Sequence, residues 1–262
     1  MIQFFDFAMG TELISLKKDP IEINITDPER IINIHKSAIK AGANILTTNT
    51  FGAYKRDDLI KAAFDNIRKA GAEKIAFDMG PIGQMLEPYG DMEQEECLKI
   101  FSHFIKTGVS FKPDIILIET MSDIEEMRLA CTAAKDAGLP IYATMTFNEN
   151  GRTFTGATIK DMADLLHSFN VQALGFNCGF GPKSFVPLVK TLKELTNLPI
   201  IVQPNAGMPV LKDGQAVYEL TPKDFALQML ELLQLGASIF GGCCGTTAEH
   251  LQSMVAHCLS LD

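Results

Sequence analysis

The sequence alternates short apolar or β-branched runs with longer segments in which apolar residues recur at helical spacing. The short runs are typical of buried strands, and the longer segments are typical of helices with one buried face. This alternation occurs eight times along the chain. The eight predicted strands are approximately Gln3–Phe7, Asn44–Thr48, Lys74–Met79, Asp114–Glu119, Ile141–Phe147, Val171–Asn177, Pro199–Gln203 and Ala237–Phe240.

Capping signals predict where several of the helices begin. Thr26-Asp27-Pro28 combines an N-cap residue with a proline in the first turn, so it predicts the start of the first long helix. Ser122 with Glu125 and Thr246 with Glu249 each have the spacing of a capping box, in which two residues bond to each other's backbone N–H. We therefore expect the fourth and eighth helices to begin at these pairs.

Eight strand-helix units without a linker or a change in composition predict a (β/α)8 barrel, the TIM barrel, as a single domain over residues 1–262. An open, doubly wound α/β sheet is the alternative. The helix-to-strand turns are short, whereas the strand-to-helix segments 8–25, 80–90, 147–157 and 204–220 are long. Because barrels build their active sites from the strand-to-helix loops, we expect the functional site at that face.

Composition and charge narrow the functional class. The chain has 262 residues, 47% of them hydrophobic, and a formal net charge of -9. It has no basic run that would indicate nucleic-acid binding and no apolar run of membrane-spanning length. Since no signal peptide is recognisable, we expect a cytoplasmic protein, in which six cysteines favour free thiols and metal ligands over disulfides.

The most informative motif is Gly241-Gly242-Cys243-Cys244-Gly245-Thr246-Thr247, which follows the last predicted strand. Two adjacent thiolates on a glycine-rich turn can bind one soft cation. Cys178 ends the sixth strand in a similar glycine-rich turn, and the sixth and eighth strands of a barrel flank the seventh. Three thiolates with one open position are typical of catalytic zinc, and Asn205 after the seventh strand is a possible fourth ligand when the site is empty.

Further polar residues stand at the ends of other predicted strands and would face the same site. They are Asp6, Thr47 to Asn49, Asp78, Glu119, Thr146 and Asn177.

Motifs along almost the whole chain carry a resemblance to a known family. They are Asp6-Phe7-Ala8-Met9-Gly10-Thr11, Thr48-Asn49-Thr50-Phe51-Gly52, Gly80-Pro81-Ile82-Gly83, Tyr89-Gly90-Asp91, Glu119-Thr120, Ala143-Thr144-Met145-Thr146-Phe147, Gly175-Phe176-Asn177-Cys178-Gly179, Pro204-Asn205-Ala206-Gly207 and the cysteine-pair motif. With these motifs in this order, the sequence resembles the homocysteine S-methyltransferase family, in particular the homocysteine-binding module of cobalamin-dependent methionine synthase.

The resemblance implies a zinc-containing (β/α)8 barrel that methylates homocysteine to methionine, with the thiolate of zinc-bound homocysteine attacking a methyl donor. Its zinc ligands fall on Cys178, Cys243 and Cys244. The substrate ammonium is expected at Asp6 and Glu119, the substrate carboxylate at the backbone N–H groups of Ala8 and Met9, and secondary contacts at Asn49 and Thr120.

Phe7 departs from the family pattern, which usually has glycine after the aspartate, and we expect this bulky side chain to narrow the substrate's approach. The eight units use all 262 residues, so we expect the methyl group to come from a methyl-corrinoid on a separate protein, with methylcobalamin bound only through that partner. S-methylmethionine and betaine are alternative donors, although betaine favours an aromatic cage and the chain has no Trp and four Tyr.

Two other functions remain as alternatives. A zinc methyltransferase for another small thiol would keep the metal and lose the selectivity for an amino acid. A non-catalytic zinc-binding protein would use the same thiolates without needing Asp6 and Glu119 beside the metal.

Overall fold

Eight parallel strands form one sheet in the computed structural model, which describes residues 2–14, 19–212 and 215–260. The strands, whose residue ranges follow, lie along the sheet in the order β1-β10-β7-β6-β5-β4-β3-β2. From β2 to β10 each strand is therefore beside the next barrel strand of the chain, and the hairpin β8–β9 is not part of this sheet. The strands are β1 (Gln3–Phe4), β2 (Leu46–Thr47), β3 (Ile75–Met79), β4 (Ile115–Met121), β5 (Ile141–Met145), β6 (Ala173–Asn177), β7 (Ile200–Gln203) and β10 (Ala237–Phe240), and the antiparallel hairpin is β8 (Val210–Lys212) with β9 (Gln215–Val217).

The sheet closes between β1 and β2. The carbonyl oxygen of Phe4 accepts hydrogen bonds from the N–H groups of Asn44 (2.9 Å) and Ile45 (3.0 Å). The Phe4 N–H in turn donates to Asn44 Oδ1 at 2.9 Å. The first and last strands of the sheet are therefore joined, as the (β/α)8 barrel prediction requires and as a doubly wound open sheet does not allow.

A helix follows each barrel strand. The helices are α1 (Met9–Ile14), α2 (Ile23–Thr26), α3 (Pro28–Ala41), α4 (Asp57–Lys69), α5 (Gln94–Ser110), α6 (Ile124–Ala134), α7 (Ile159–Ser168), a 3-10 turn (Pro182–Phe185) leading into α8 (Val186–Leu195), α9 (Pro222–Gln234) and α10 (Ala248–Leu259). In the described ranges no helix combines the length and the apolar character that crossing a membrane requires.

Side chains of alternate strand residues fill the inside of the barrel. They form a buried cluster of their own, separate from the larger core between the strands and the helices: Phe5, Ile45, Ala76, Ile115, Leu117, Tyr142, Ala173, Ile201 and Ile239. Because successive side chains of a strand point to opposite faces, the residues two positions after Ala76 and Leu117 also face the barrel interior, nearer its C-terminal end. This places Asp78 above Ala76 and Glu119 above Leu117.

The strand predictions differ from the structure mainly at the ends. The first two strands are shorter than predicted, because beyond Phe4 and Thr47 the chain turns to form the site, while β4 continues past Glu119 to Met121. The segments predicted as plain loops also contain structure, with α1 and α2 in residues 8–25 and the β8–β9 hairpin in residues 204–220. Residues 15–18 and 213–214 of these two segments, and terminal residues 1, 261 and 262 of the predicted domain, lie outside the described residues.

Two predicted capping boxes are wrong by one residue. The N-cap of α6 is Asp123, not Ser122, and its carboxylate accepts from the N–H groups of Glu125 (2.7 Å) and Glu126 (3.4 Å). A carboxylate binds two N–H groups at once, which explains its preference over the neighbouring serine.

At α10 the N-cap is Thr247, whose N–H donates to His250 Nδ1 at 3.3 Å, so Thr246 and Glu249 do not form the box. Thr246 has a different function beside the cysteines, which is described below.

Candidate active site

A cavity of about 430 Å³ opens at the C-terminal end of the barrel, on the face predicted from the loop lengths. Among the described residues, its lining contains four acidic side chains and no Lys, Arg or His. Nine of the ten predicted site residues line it: Asp6, Ala8, Met9, Asn49, Glu119, Thr120, Cys178, Cys243 and Cys244. Asn205 lies outside this lining.

The structure brings the three cysteines of the prediction together. The sulfur atoms of Cys178, Cys243 and Cys244 all lie within 4.8 Å of one another, and Cys243 Sγ is 4.0 Å from Cys244 Sγ. Tetrahedral zinc with Zn–S bonds of about 2.3 Å separates two sulfur ligands by about 3.8 Å. The trio therefore fits a zinc ion after a small contraction.

The end of β7 holds both cysteine-bearing turns. Cys178 N–H donates to the carbonyl oxygen of Gln203 at 3.0 Å, and Cys243 N–H donates to that of Pro204 at 2.9 Å. Ala206 N–H donates to the carbonyl oxygen of Cys244, also at 2.9 Å. Because β7 lies between β6 and β10, one short segment fixes the distance between Cys178 and the cysteine pair.

Glycines beside the cysteine pair allow close packing that a side chain would prevent. A Cβ at Gly242 would lie 2.3 Å from Thr246 Oγ1, and one at Gly245 would lie 2.1 Å from Cγ of Tyr218. Thr246 Oγ1 donates to the carbonyl oxygen of Cys243 at 2.7 Å and accepts from Ala8 N–H at 3.3 Å. This buried hydroxyl therefore joins the cysteine turn to the loop after β1.

Two residues of the site adopt the left-handed backbone conformation that favours glycine, Thr120 at φ 61° and Cys178 at φ 60°. Such a conformation costs about 1–3 kcal/mol and persists only where surrounding contacts impose it. Asn177 provides these contacts for Thr120, since its Oδ1 accepts from Thr120 N–H at 2.8 Å and its Nδ2 donates to Thr120 Oγ1 at 2.6 Å. Asn177 thus links the turn after Glu119 to the turn that carries Cys178.

The three thiols share hydrogen bonds that favour one thiolate among them. Bonds from Cys178 and Cys243, together with a weaker contribution from the Tyr218 hydroxyl, lower the pKa of Cys244 to about 3. The same bonds raise the pKa of Cys243 well above its ordinary value. Thiolate sulfur is the form that binds zinc, so this arrangement prepares the site for a cation.

Asn205 is held beside the cysteines by its nitrogen atoms. Its backbone N–H donates to the carbonyl oxygen of Phe180 at 2.9 Å, and its Nδ2 donates to that of Gly179 at 3.1 Å. The side chain is 4% exposed, and its Oδ1 has no partner among the described residues. A buried carbonyl oxygen without a partner is costly, so this oxygen is an unexplained feature of the turn after β7.

Three carboxyl groups line the inner part of the cavity. Burial raises the pKa of Asp6 to about 7 even though its Oδ2 accepts from Thr47 N–H at 2.9 Å. Burial, together with the charges of Asp6 and Cys244, raises the pKa of Glu119 to about 8. Burial and the charges of Glu119 and Asp6 raise the pKa of Asp78 well above its ordinary value. Since all three groups resist carrying a negative charge together, a cation would be stabilised here.

The remaining predicted residues lie at the mouth of the cavity. Met9 begins α1, and the neighbouring Ala8 N–H is already donated to Thr246 Oγ1. Asn49 Nδ2 donates to the carbonyl oxygen of Pro20 at 2.9 Å, so it holds a segment that lines the pocket. Phe7, expected to narrow the approach, lines the cavity but is 7% exposed and packs in the main core.

The sequence interpretation gave no role to three residues that the structure places in the site. Asp78 was expected to face the site as one of the polar strand ends but was given no role, Gln203 was noted only as the last residue of the seventh strand, and Tyr218 was not noted as a site residue. The signal for Asp78 and Gln203 was available in the two-residue alternation, because they follow the interior residues Ala76 and Ile201. Tyr218 follows the β8–β9 hairpin, which the pattern did not predict.

Comparisons with known proteins agree with this geometry. The profile of the homocysteine S-methyltransferase family matches residues 3–258. Methionine synthases from Mycobacterium leprae (strain TN) and from Mycobacterium tuberculosis (strain ATCC 25618 / H37Rv) are each 28% identical over 96% of this chain. The chain spans about a quarter of the length of these relatives, 24% in both cases.

A solved structure shares the fold. The metallated form of the homocysteine methyltransferase MmuM from Escherichia coli superposes with a TM-score of 0.82 at 21% sequence identity. The match covers 97% of this chain and 96% of that chain. At this identity the likeness supports the barrel fold alone.

Proposed function

The chain belongs to the homocysteine S-methyltransferase family, and on this basis we propose that it is a zinc-dependent enzyme that methylates the sulfur of homocysteine to form methionine. The observation that carries the proposal is the convergence on one cavity of three thiols and three carboxyl groups, of which Asp6 and Asp78 are buried and Glu119 is half-buried. The thiols suit a soft metal ion, and the carboxyl groups suit the ammonium of an amino acid. A small amino acid with a thiol side chain has both features.

Cys178, Cys243 and Cys244 would hold the zinc ion, with Asn205 Oδ1 as the fourth ligand before substrate binds. When bound there, zinc supplies the Lewis acidity that deprotonates the substrate thiol at neutral pH. The hydrogen bonds from β7 to both cysteine turns support this assignment, because they hold the three sulfur atoms in place without a metal. Thr246 and Tyr218 add contacts to the cysteine pair.

At the other side of the cavity, Asp6 and Glu119 would accept hydrogen bonds from the substrate ammonium. The N–H groups of Ala8 and Met9 would bind its carboxylate, with Ala8 exchanging its long bond to Thr246 Oγ1 for one to the ligand. Asn49 and Thr120 would make secondary contacts. Holding both ends of the substrate leaves its sulfur facing the open mouth of the barrel.

The reaction forms a bond between the substrate sulfur and the methyl carbon while the bond from that carbon to its donor breaks. A thiolate is a far better nucleophile than the thiol, so the enzyme must keep the sulfur deprotonated. The product is a neutral thioether and no longer carries the charge that favoured its binding. Loss of that charge favours product release.

A methyl-corrinoid carried by a separate protein is the donor we favour, because the curated relatives that match this chain at 28% identity are methionine synthases. The partner would then present methylcobalamin at the mouth of the cavity. S-methylmethionine and betaine are the other candidates, and neither is favoured by a specific contact in the described pocket.

A parallel assay tests the proposal. Zinc-loaded protein is offered homocysteine with methylcobalamin, S-methylmethionine or betaine, and methionine is measured. Mercaptoethanol replaces homocysteine in a second series, where equal rates would indicate a general thiol methyltransferase. If zinc-loaded protein neither binds homocysteine in titration calorimetry nor forms methionine, it is a zinc-binding protein without this activity.

Two cysteine variants test the metal ligands. We expect Cys243→Ala to lose both bound zinc and methyl transfer while keeping its circular dichroism spectrum, because Cys243 reaches the site from a turn held by its backbone. Cys258→Ala is the matched control, since this cysteine is buried in α10 away from the cavity, and it should keep zinc and activity. Methyl transfer by Cys243→Ala would contradict the mechanism.

A further inference from the structure

Asp78 lines the inner part of the cavity and has an unpaired carboxyl oxygen among the described residues. The residue is 3% exposed, and its Oδ1 has no hydrogen-bond partner among the described residues. Buried carboxylate oxygens in folded proteins are nearly always paired, so an unpaired one directed at a cavity indicates a group supplied by a ligand.

Its backbone explains why the side chain faces the cavity. Asp78 N–H donates to Oγ1 of Thr48, the residue after β2, at 3.0 Å, and the Asp78 carbonyl oxygen accepts from Thr50 Oγ1 at 2.8 Å. Asp78 therefore sits in a fixed backbone position, two residues after the interior residue Ala76 on β3. The neighbouring strand β4 carries Glu119 in the same way, two residues after Leu117.

The strand register places Asp78 deeper than Glu119. Asp78 lies opposite Leu117, so Glu119 is two residues further toward the mouth. Asp6 approaches from the loop after β1, where Thr47 N–H occupies its Oδ2. The three carboxyl groups thus come from three different segments and line one space.

We infer that Asp78 is a third ammonium-binding residue, which accepts one of the three N–H bonds of the substrate's amino group alongside Asp6 and Glu119. An alkylammonium has three donors and no acceptor, so three carboxyl groups around it leave no donor unpaired. The absence of Lys, Arg and His from the described lining means that no side chain there competes for these carboxyl groups. This inference rests on the proposed function, because it concerns how the same substrate is recognised.

A pair of ligands isolates the amino group in the test. Homocysteine and 4-mercaptobutanoate both carry a thiol and a carboxylate, and only homocysteine carries the ammonium. Their dissociation constants are measured by titration calorimetry on zinc-loaded wild-type protein, on Asp78→Asn, and on Asp136→Asn, which removes an exposed carboxyl after α6, outside the cavity lining, as the matched control. Zinc content is measured for each protein.

We expect Asp78→Asn to bind homocysteine about 10- to 100-fold more weakly and 4-mercaptobutanoate within about twofold of wild type, as the loss of one charged hydrogen bond predicts. Asp136→Asn should bind both ligands as wild type does. Equal weakening of both ligands, or of neither, by Asp78→Asn would overturn the inference.

Two further results separate the possible failures. If the wild-type protein binds neither ligand, the proposed function fails, whereas wild-type binding with an unaffected Asp78→Asn variant removes only the role of Asp78. If Asp78→Asn does not fold, a crystal structure of the wild-type complex with homocysteine decides the matter. A substrate nitrogen beyond hydrogen-bond distance of Asp78 Oδ1 in that complex would reject the assignment.

Discussion

Replacing Asp6 by asparagine should stabilise the protein without substrate while weakening homocysteine binding. In the folded chain, burial raises the pKa of Asp6 from its ordinary value of 3.8 to about 7. At a pH between these two values, the Asp6 carboxyl is protonated in the folded state and ionised in the unfolded state. Wild-type stability therefore falls as the pH rises from about 4 to about 7, and the loss is complete above that range.

Asparagine has no proton to lose, and its Oδ1 can still accept from Thr47 N–H in place of the carboxylate oxygen that lies 2.9 Å away. At about 1.4 kcal/mol for each pKa unit, the raised pKa of Asp6 corresponds to a loss of at most about 4 kcal/mol in the free energy of unfolding. The difference in unfolding free energy between Asp6→Asn and wild type should be small near pH 4, grow as the pH rises to about 7 and level off near pH 8.

Urea unfolding of zinc-free, reduced protein at several pH values measures this difference. Asp19→Asn serves as the control, because its carboxyl is exposed, and its stability should follow the wild-type curve. The burial argument would be refuted if Asp6→Asn and wild type gave parallel curves from pH 4 to pH 8. Calorimetry on the zinc-loaded proteins should show weaker homocysteine binding by the variant.

Further substitutions test the packing around the site. Gly175→Ala should destabilise the barrel by about 3 kcal/mol in urea unfolding, because the new Cβ would lie 1.9 Å from the carbonyl oxygen of Ile201. Gly10→Ala, with no atom within 4 Å of the new Cβ, should be close to neutral, and equal effects would contradict the overlap. Thr246→Val should cost about 1–3 kcal/mol and weaken zinc retention against a chelator, because Cys243 loses the hydroxyl bonded to its carbonyl oxygen. Unchanged zinc retention would mean that this bond does not support the metal site.

The sequence predicts the barrel well, because eight apolar runs with short return turns allow few other arrangements. It also predicts which cysteines meet, since Cys178 and the pair at 243–244 end strands on either side of β7. Helix caps were less predictable. The one-residue errors at Asp123 and Thr247 arise because neighbouring residues in each stretch are all able to cap, and only the three-dimensional contacts choose between them.

The inner wall of the cavity was harder to predict than the metal ligands. Asp78 and Gln203 are the polar ends of strands whose other members are apolar, so the alternation can place their side chains inside the barrel but cannot show which group each of them binds. Tyr218 contacts the cysteine turn from a hairpin that comes from a different part of the chain. Such contacts depend on distances between segments, which residue periodicity does not contain.

The join between β1 and β2 is a seam in the barrel wall, made by the bonds that Phe4 forms with Asn44 and Ile45 and by the bond from Thr47 N–H to the Asp6 carboxylate. An amino acid bound at once to Asp6 and Glu119 would connect the β1 side of that seam to β4, which lies beyond β2 and β3 on its other side. Bound substrate would then stabilise the contact between β1 and β2, the two shortest strands of the barrel. We therefore expect hydrogen exchange at the amides of Asn44, Ile45 and Thr47 to slow when substrate binds, because the hydrogen bonds that join β1 to β2 would open less often.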